Sequence, residues 1–411
     1  MEIEKKGPLH GIKVLDWSVF QFGPVASSML GDMGADVIKI EALDGDAGRS
    51  LGSFYSNSMT LDNGRNAYFE TCNRSKRGIA VNLKTSEGKE ILYKLVKDAD
   101  VFVQNFRKGV PERLNMDYET LQKINPKLIY ASASGFGPEG PDAGLPSLDG
   151  CGQARAGLMM SATPPGQDLP TKVLGAPSDQ VGAVTLCLGV LAALIARAAS
   201  GTGQLIEVSH LSSTMWLQGL YVGMSLFAEN FSFSNQTPRN APKNPMVNLY
   251  KCSDGTWVQI MNPQPARYWH SFTHALGLEY LSKDPVLGNP DTLADHGAEL
   301  VEILDKQFAT KTFEEWDQIF RNYDMIYAKV QSIDELRTDP QVIANDYIID
   351  FDHPEIDSMQ VCNFPVSFSD TPAGPQKEAP ELGQDTETVL IEELGYDWSD
   401  IERFQKAGAI L

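Results

Sequence analysis

Four things are scarce in this sequence, and each scarcity removes a class of function. Cysteine is the first. Five residues (Cys72, Cys151, Cys187, Cys252 and Cys362) are scattered over 411 positions, and none forms a C-x-x-C pair. An odd number cannot all pair within one chain, so neither a disulfide framework nor a thiolate zinc site is expected. Histidine is the second: there are only six, and His270 with His274 is the only i,i+4 pair. No glutamate follows His270 as in a zinc-protease helix, so the pair is assigned to packing and a metal-free, reduced, cytoplasmic protein is expected. Basic charge is the third, with 34 Lys and Arg against 54 Asp and Glu and a net charge of −20. Such a surface repels phosphate backbones and anionic lipid, so nucleic acid and membrane are not expected partners. An anionic small ligand needs only a local cationic pocket. The fourth is long apolar runs. Gln180 to Ala196 carries no charge over 17 positions, short of the roughly 20 that span a bilayer. Bounded by Asp179 and Arg197, it reads as a helix buried on all sides. The start, MEIEKKGPLHG, lacks the apolar core of a signal peptide.

What is present is enough apolar character, 42% hydrophobic and 9% aromatic, to bury a substantial core in two or three domains. The first 140 residues alternate strand and helix. Strands are expected at Ile12–Trp17, Asp36–Ile40, Arg77–Leu83, Asp100–Phe106 and Lys127–Ser132, with helical stretches between them. The loop GFGPEGPDAGLP breaks the pattern. After the apolar helix come a strand at Gln204–Ser209 and a helical stretch to about residue 228. This alternation predicts an α/β fold: a Rossmann-like large domain with a parallel sheet, plus a smaller α+β domain. The domains are placed at 1–210 (completed by 350–411) and 246–349, joined by a linker helix and loop over 211–245. Residues 350–386 are irregular and proline-bearing, and two short amphipathic helices close the chain. The turn after the first strand, Phe20-Gln21-Phe22-Gly23-Pro24, is no G-x-G-x-x-G, which argues against a nicotinamide dinucleotide.

Asp179 is the leading candidate for chemistry. It lies in Gly175-Ala176-Pro177-Ser178-Asp179, directly before the apolar helix. An acid at such a place satisfies free amides as a cap. The same placement keeps a carboxylate ionised and able to attack an acyl carbon, with backbone N–H groups near enough to hold an oxyanion. Spacing alone does not choose between these. Cations gather at Asn73-Arg74-Ser75-Lys76-Arg77 and Asn105-Phe106-Arg107-Lys108, with Arg113 beyond, near strand ends where α/β sheets bind ligands. On spacing alone a solvated charged turn is the commoner reason for such a cluster. Gln21 and Asp149 stand in glycine-bearing turns and carry no signal alone.

Several segments in order, PLHGIKVLDWS, QFGP, GADVIKIE, NRSKRGIAVNLKTSEGKEIL, DVFVQNFRKGVPERL, NPKLIYASASGFGPEGP, GTGQLIEVS and GQDTETVLIEELGYDWSDIERFQKAGAI, resemble the class III CoA-transferase family. The resemblance runs almost end to end. It implies Asp179 as nucleophile, Gln21 as the active-site glutamine and Asp149 at a further acidic position. It implies coenzyme A, as an acyl-CoA substrate, held by Lys76, Arg77, Asn105, Phe106 and Arg113. It also implies an interlocked homodimer, with residues 350–386 wrapping the partner. Two departures stand out. Ala42 follows IKIE where the family often has an arginine, and Met261-Asn262-Pro263-Gln264-Pro265 replaces a glycine-rich lid.

The chemistry so implied exchanges CoA between an acyl-CoA donor and a carboxylic acid acceptor, through an aspartyl anhydride and an aspartyl-CoA thioester. KNPMVNLYKCSDGTWVQIMNPQP, TKTFEEWDQIFRNYD and ANDYI resemble the branch handling (R)-phenyllactate and (R)-2-hydroxyisocaproate in amino-acid fermentation. An aromatic or branched (R)-2-hydroxy acid is therefore the expected acceptor, with carnitine-like or small dicarboxylic acids (oxalate, succinate) as alternatives. The family's 2-methylacyl-CoA racemases carry a His-Asp pair where this chain has Leu148-Asp149, which argues against racemisation.

Overall fold

A computed structural model describes residues 6–54, 56–227 and 237–411. The chain divides into two units, one of residues 1–162, 170–229 and 343–411 and one of 163–169 and 230–342.

The larger unit is built on six parallel strands: β1 (Lys13–Trp17), β2 (Asp36–Glu41), β3 (Arg77–Ala80), β4 (Val101–Gln104), β5 (Ile129–Ser134) and β6 (Leu205–Ser209). Their order across the sheet is β3-β2-β1-β4-β5-β6, with Val14 of β1 level with Val37 on one side and Val101 on the other. A parallel sheet is covered on both faces, which is why these strands read as near-continuous apolar runs. Side-chain alternation sends Leu15, Ile38, Ile79 and Phe102 to one face and Val14, Val37, Val101 and Ile129 to the other. The first face is covered by Ile91, Leu92, Leu95 and Val96 of helix Ser86–Lys97. Val389, Leu390, Ile401 and Phe404 from the end of the chain complete it. The second face is covered by α1 (Phe22–Asp32) and by α2 (Pro177–Ser200), through Leu30, Ala183, Leu186 and Val190.

Two strands end earlier than their apolar runs suggest. Residues 81–83 leave β3, and β4 stops at Gln104. There the side chain of Gln104 accepts the Phe106 amide hydrogen (2.8 Å), and Asn105 turns away to grip the loop after β1. The helical stretch after β6 breaks at Gln218 into α3 (His210–Leu217) and α4 (Gly219–Phe227). Both belong to the larger unit, so the expected linker over 211–245 is displaced: its helical part packs with the sheet domain. Residues 228–236, within the expected connection, lie outside the described residues. The 24-residue α2 is long and apolar enough to cross a membrane, but only one face of it packs inward. Leu188 (64% exposed) and Ile195 (75%) face outward, so burial on all sides is not what this chain alone achieves.

The smaller unit carries three antiparallel strands, β7 (Val247–Lys251), β8 (Trp257–Met261) and β9 (Tyr327–Lys329), in the order β9-β8-β7. Its core is aromatic: Tyr250 stacks on Phe308 at 4.5 Å, and Trp316 and Phe320 are fully buried. His274 hydrogen-bonds the Tyr323 hydroxyl at 2.7 Å.

Candidate active site

The strand order reverses direction between β1 and β4, and crevices open at such switch points beyond the carboxyl ends of strands. Here Asn105, just past β4, accepts the Val19 amide hydrogen with Oδ1 (2.9 Å) and donates from Nδ2 to the Val19 carbonyl (2.7 Å). The β1 loop is thereby held open, with Phe20 in a left-handed conformation (φ 61°). Below it lies a cavity of about 530 Å³. Gln21, Phe22, Tyr68, Asn105, Phe106, Leu148, Cys151, Asp179 and His210 are among the residues lining it.

Asp179 reaches this cavity because of how α2 begins. Gly175 (φ 87°) and Ala176 (φ 54°) turn the chain left-handed, and Pro177 opens the helix. No side chain of residue 176 caps the helix. Instead Asp149 Oδ1 accepts from the Ser178 amide at 2.8 Å and the Asp179 amide at 3.4 Å, while its Oδ2 accepts from Gln153 at 2.7 Å. Asp149 is thus the cap, and Asp179, in the first turn, is left to face the cavity. Its Oδ1 accepts a hydrogen bond from His210 Nε2 at 2.8 Å, and its Oδ2 has no hydrogen-bond partner among the described residues. His210 Nδ1 meets Ser147 Oγ at 3.1 Å, and the Phe22 ring lies 4.8 Å from the imidazole. Two glycines permit this close assembly. A Cβ on Gly152 would stand 2.7 Å from His210 Cβ, and one on Gly182 would stand 2.7 Å from the Phe22 ring.

The structure therefore brings Gln21, the adjacent Asn105 and Phe106, and Asp179 together from three distant stretches of sequence. Tyr68 joins them: burial first, then the charges of neighbouring groups including Asp179, push its phenol well above the ordinary value, so it remains a hydrogen-bond donor. The amide of Asn105 is committed to the loop backbone, and Phe106 packs on Trp17 with ring centres 4.2 Å apart.

Four expected residues lie elsewhere. Asp149 stands behind the start of α2 and meets backbone amides and the Gln153 side chain rather than the cavity. The Lys76 side chain is fully buried, and its ammonium donates to Asp16 Oδ2 (2.8 Å), the Pro24 carbonyl (2.8 Å) and Asn73 Oδ1 (2.9 Å). With its donors so engaged it has none left for a ligand phosphate. Burial pushes it down to about 8. Arg77 starts β3, at the opposite end of the sheet from the cavity, and pairs with Asp36 (2.6 Å) and Glu393. Arg113 is exposed on the short helix Val110–Leu114 and does not line the cavity. Among the described residues no three His, Cys, Asp or Glu side chains are grouped to hold a metal ion.

His210, Ser147 and Tyr68 were not singled out from the sequence. For His210 a signal was present, since it immediately follows the strand Gln204–Ser209 and therefore stands at the carboxyl edge of a parallel sheet. Ser147 and Tyr68 carry no comparable mark.

A doubly wound α/β sheet, with a carboxylate at a helix start beside its switch point, defines the class: a Rossmann-like protein whose site suits acyl chemistry. The chain belongs to CoA-transferase family III, whose family model matches residues 9–386. It is a CoA-transferase. It is 32% identical over 405 residues to (R)-2-hydroxy-4-methylpentanoate CoA-transferase of Clostridioides difficile, covering 98% of this chain and 99% of that one. It is also 32% identical over 398 residues to cinnamoyl-CoA:phenyllactate CoA-transferase of Clostridium sporogenes, covering 96% and 95%. Among solved structures, a CaiB/BaiF family protein from Brucella suis superposes with a TM-score of 0.81 at 27% identity, covering 94% of this chain and all of that one.

Proposed function

We propose that this enzyme moves CoA from an acyl-CoA to an aromatic or branched (R)-2-hydroxy acid, with Asp179 as the covalent nucleophile. The observation that carries the reading is the Asp179 carboxylate itself: it is held at a helix start, with one oxygen bonded and the other free beside a cavity. Attack of Oδ2 on the donor thioester carbon gives a mixed anhydride and CoA thiolate. The thiolate then attacks the aspartyl carbonyl, releasing the donor carboxylate and leaving an aspartyl-CoA thioester. The acceptor carboxylate runs the same two steps in reverse. Gln21 and Tyr68 supply neutral donors at the reacting carbonyl.

Phe106 supports a path for the rest of CoA. It borders both this cavity and a second of about 380 Å³, walled by Trp17, Leu43, Val81, Leu83, Val110 and Leu114. The apolar pocket suits the adenine and the Asp179 cavity suits the thioester, with Arg107 and Lys108 beside the pantetheine arm. The acceptor assignment draws on the two clostridial relatives and on the apolar walls Phe20, Phe22, Leu145 and Leu148. An imidazole does stand near position 148, at His210, whose Nδ1 meets Ser147 Oγ. It is bonded directly to Asp179, however, so the two form one unit rather than two bases on opposite faces of a carbon, which favours transfer over racemisation. The outward Leu188 and Ile195, with Trp216 (81% exposed), Leu220 and Phe227 (91%), support an interlocked homodimer, since faces this apolar call for a partner.

Intact-protein mass measured after mixing with a panel of acyl-CoAs, without acceptor, tests the nucleophile. An adduct on the wild type and none on Asp179→Ala is expected; no adduct on either refutes it. A kinetic panel tests the acceptor. Oxalate or succinate outperforming phenyllactate by more than about tenfold, or about 1.4 kcal/mol, refutes the 2-hydroxy acid.

A further inference from the structure

We infer that His210 is a catalytic residue of the transfer, the hydrogen-bond donor to the oxyanion that forms on the side chain of Asp179. The inference rests on the reading of Asp179 as nucleophile. Four observations carry it. The contact is direct, with Nε2 at 2.8 Å from Oδ1. An ionised carboxylate has only lone pairs to offer, so Nε2 bears the proton in this pair whichever state the imidazole adopts at Nδ1. The ring is fixed on its other side by Ser147 Oγ at 3.1 Å and on its face by Phe22 at 4.8 Å, and the residue is 5% exposed, so the donor is aimed and largely dry. Finally, Oδ1 is engaged and Oδ2 is not, which divides the labour between the two oxygens.

That division decides where charge appears. Oδ2 attacks the donor thioester and becomes the bridging oxygen of the anhydride, so Oδ1 becomes the carbonyl oxygen on Cγ. When the CoA thiolate adds, a sulfur lone pair forms the S–Cγ bond and the C=O π pair moves onto Oδ1. Collapse of this tetrahedral species returns the pair to the carbonyl and breaks the Cγ–Oδ2 bond, and the donor carboxylate leaves with that electron pair and with Oδ2. One negative charge enters as thiolate and leaves as carboxylate, and no proton is exchanged. His210 therefore acts throughout as a donor, never as a base. Its Nε2–H faces Oδ1 in the resting carboxylate, the anhydride and the tetrahedral species, with the bond strengthening as charge gathers there. Oδ2 departs with the donor acid and an oxygen of the acceptor carboxylate takes its place on Cγ, while Oδ1, the atom His210 touches, is retained, so the same contact serves the return half-reaction.

The test compares wild type, His210→Leu, His210→Gln and Asp179→Ala with 4-methylpentanoyl-CoA as donor and a 2-hydroxy acid as acceptor. Removing one oxyanion donor is expected to lower kcat by about 10²–10³-fold in His210→Leu, while KM for the acyl-CoA moves less than about threefold. His210→Gln places an amide N–H near the position of Nε2 and is expected to recover at least about tenfold of the loss. The wild type forms an adduct by intact mass in the absence of acceptor and Asp179→Ala does not, which tests the nucleophile separately. A His210→Leu enzyme that is folded and within about threefold of wild-type kcat, or a His210→Gln enzyme no better than His210→Leu, overturns the inference even when the adduct is seen. Absence of the adduct on the wild type overturns both.

Discussion

The Asp149 carboxylate takes the amide hydrogen of Ser178 at 2.8 Å, tying the start of the short helix Asp149–Arg155 to the start of α2 and fixing the backbone on which Asp179 stands. An acid that could have been a second catalyst is thus a cap supplied from a distance of 29 residues. Asp149→Ala is expected to cost about 0.5–2 kcal/mol of stability through the lost cap. Because Asp179 then loses its alignment, kcat is expected to fall by about tenfold or more. Asp149→Asn retains an acceptor for the Ser178 amide and should lie between the two. Thermal melts and steady-state kinetics on both variants check this. An Asn variant as inactive as Asp179→Ala would give Asp149 a direct chemical role instead.

Gly152 sets the position of His210. An added Cβ would stand 2.7 Å from His210 Cβ and 2.9 Å from the Ser178 side chain. Gly152→Ala therefore displaces the imidazole from Asp179 without touching the CoA path. The expected result is a loss in kcat of up to about 10²-fold with KM for acyl-CoA nearly unchanged. Equal losses in both parameters would point to general collapse of the cavity.

Lys76 predicts a stability defect rather than a binding one. Removing it leaves Asp16 buried without its partner, which is expected to cost about 3–5 kcal/mol. Lys76→Met is expected to lower the melting temperature sharply, while the protein that remains folded binds CoA normally by calorimetry. The double variant Asp16→Asn/Lys76→Met should regain much of the loss.

The same pair gives a pH dependence. Burial pushes the Asp16 carboxyl up, but Lys76 and Lys39 outweigh burial and hold it below its ordinary 3.8. Below that value the unfolded chain takes up a proton before the folded one does. The stability due to Asp16 is therefore complete above the unfolded pKa and is lost as pH falls through the folded one. In urea titrations the gap between wild type and Asp16→Asn should be full at about pH 6 and shrink toward about pH 3. A gap constant over that range would contradict the assignment.

The sheet was legible because a parallel strand buried on both faces needs a mainly apolar run, and VLDW, DVIKI and DVFVQ show one, broken in the middle only by Asp16 and Lys39, whose charges are paired inside the protein. The ends of those runs were not, because Gln104 and Asn105 stop β4 with side-chain hydrogen bonds that strand patterning does not encode. Asp179 was legible from its glycine and proline turn before an apolar helix. Lys76 and Arg77 were legible as cations, yet Lys76 is a buried strut and Arg77 is spent on Asp36 and Glu393, and a one-letter code carries neither burial nor pairing.

What the sequence determined by itself was therefore local or periodic: the α/β class, the order of elements, the helix start bearing Asp179, and the chain-long resemblance to a family. What only the tertiary structure decided was adjacency. His210 follows Asp179 by 31 residues, and Ser147 precedes His210 by 63. They meet because β5 and β6 lie side by side in the sheet and α2 packs across them. Contacts of that separation follow from which strand neighbours which, a choice made by the packing of the whole domain and not by any window of its sequence.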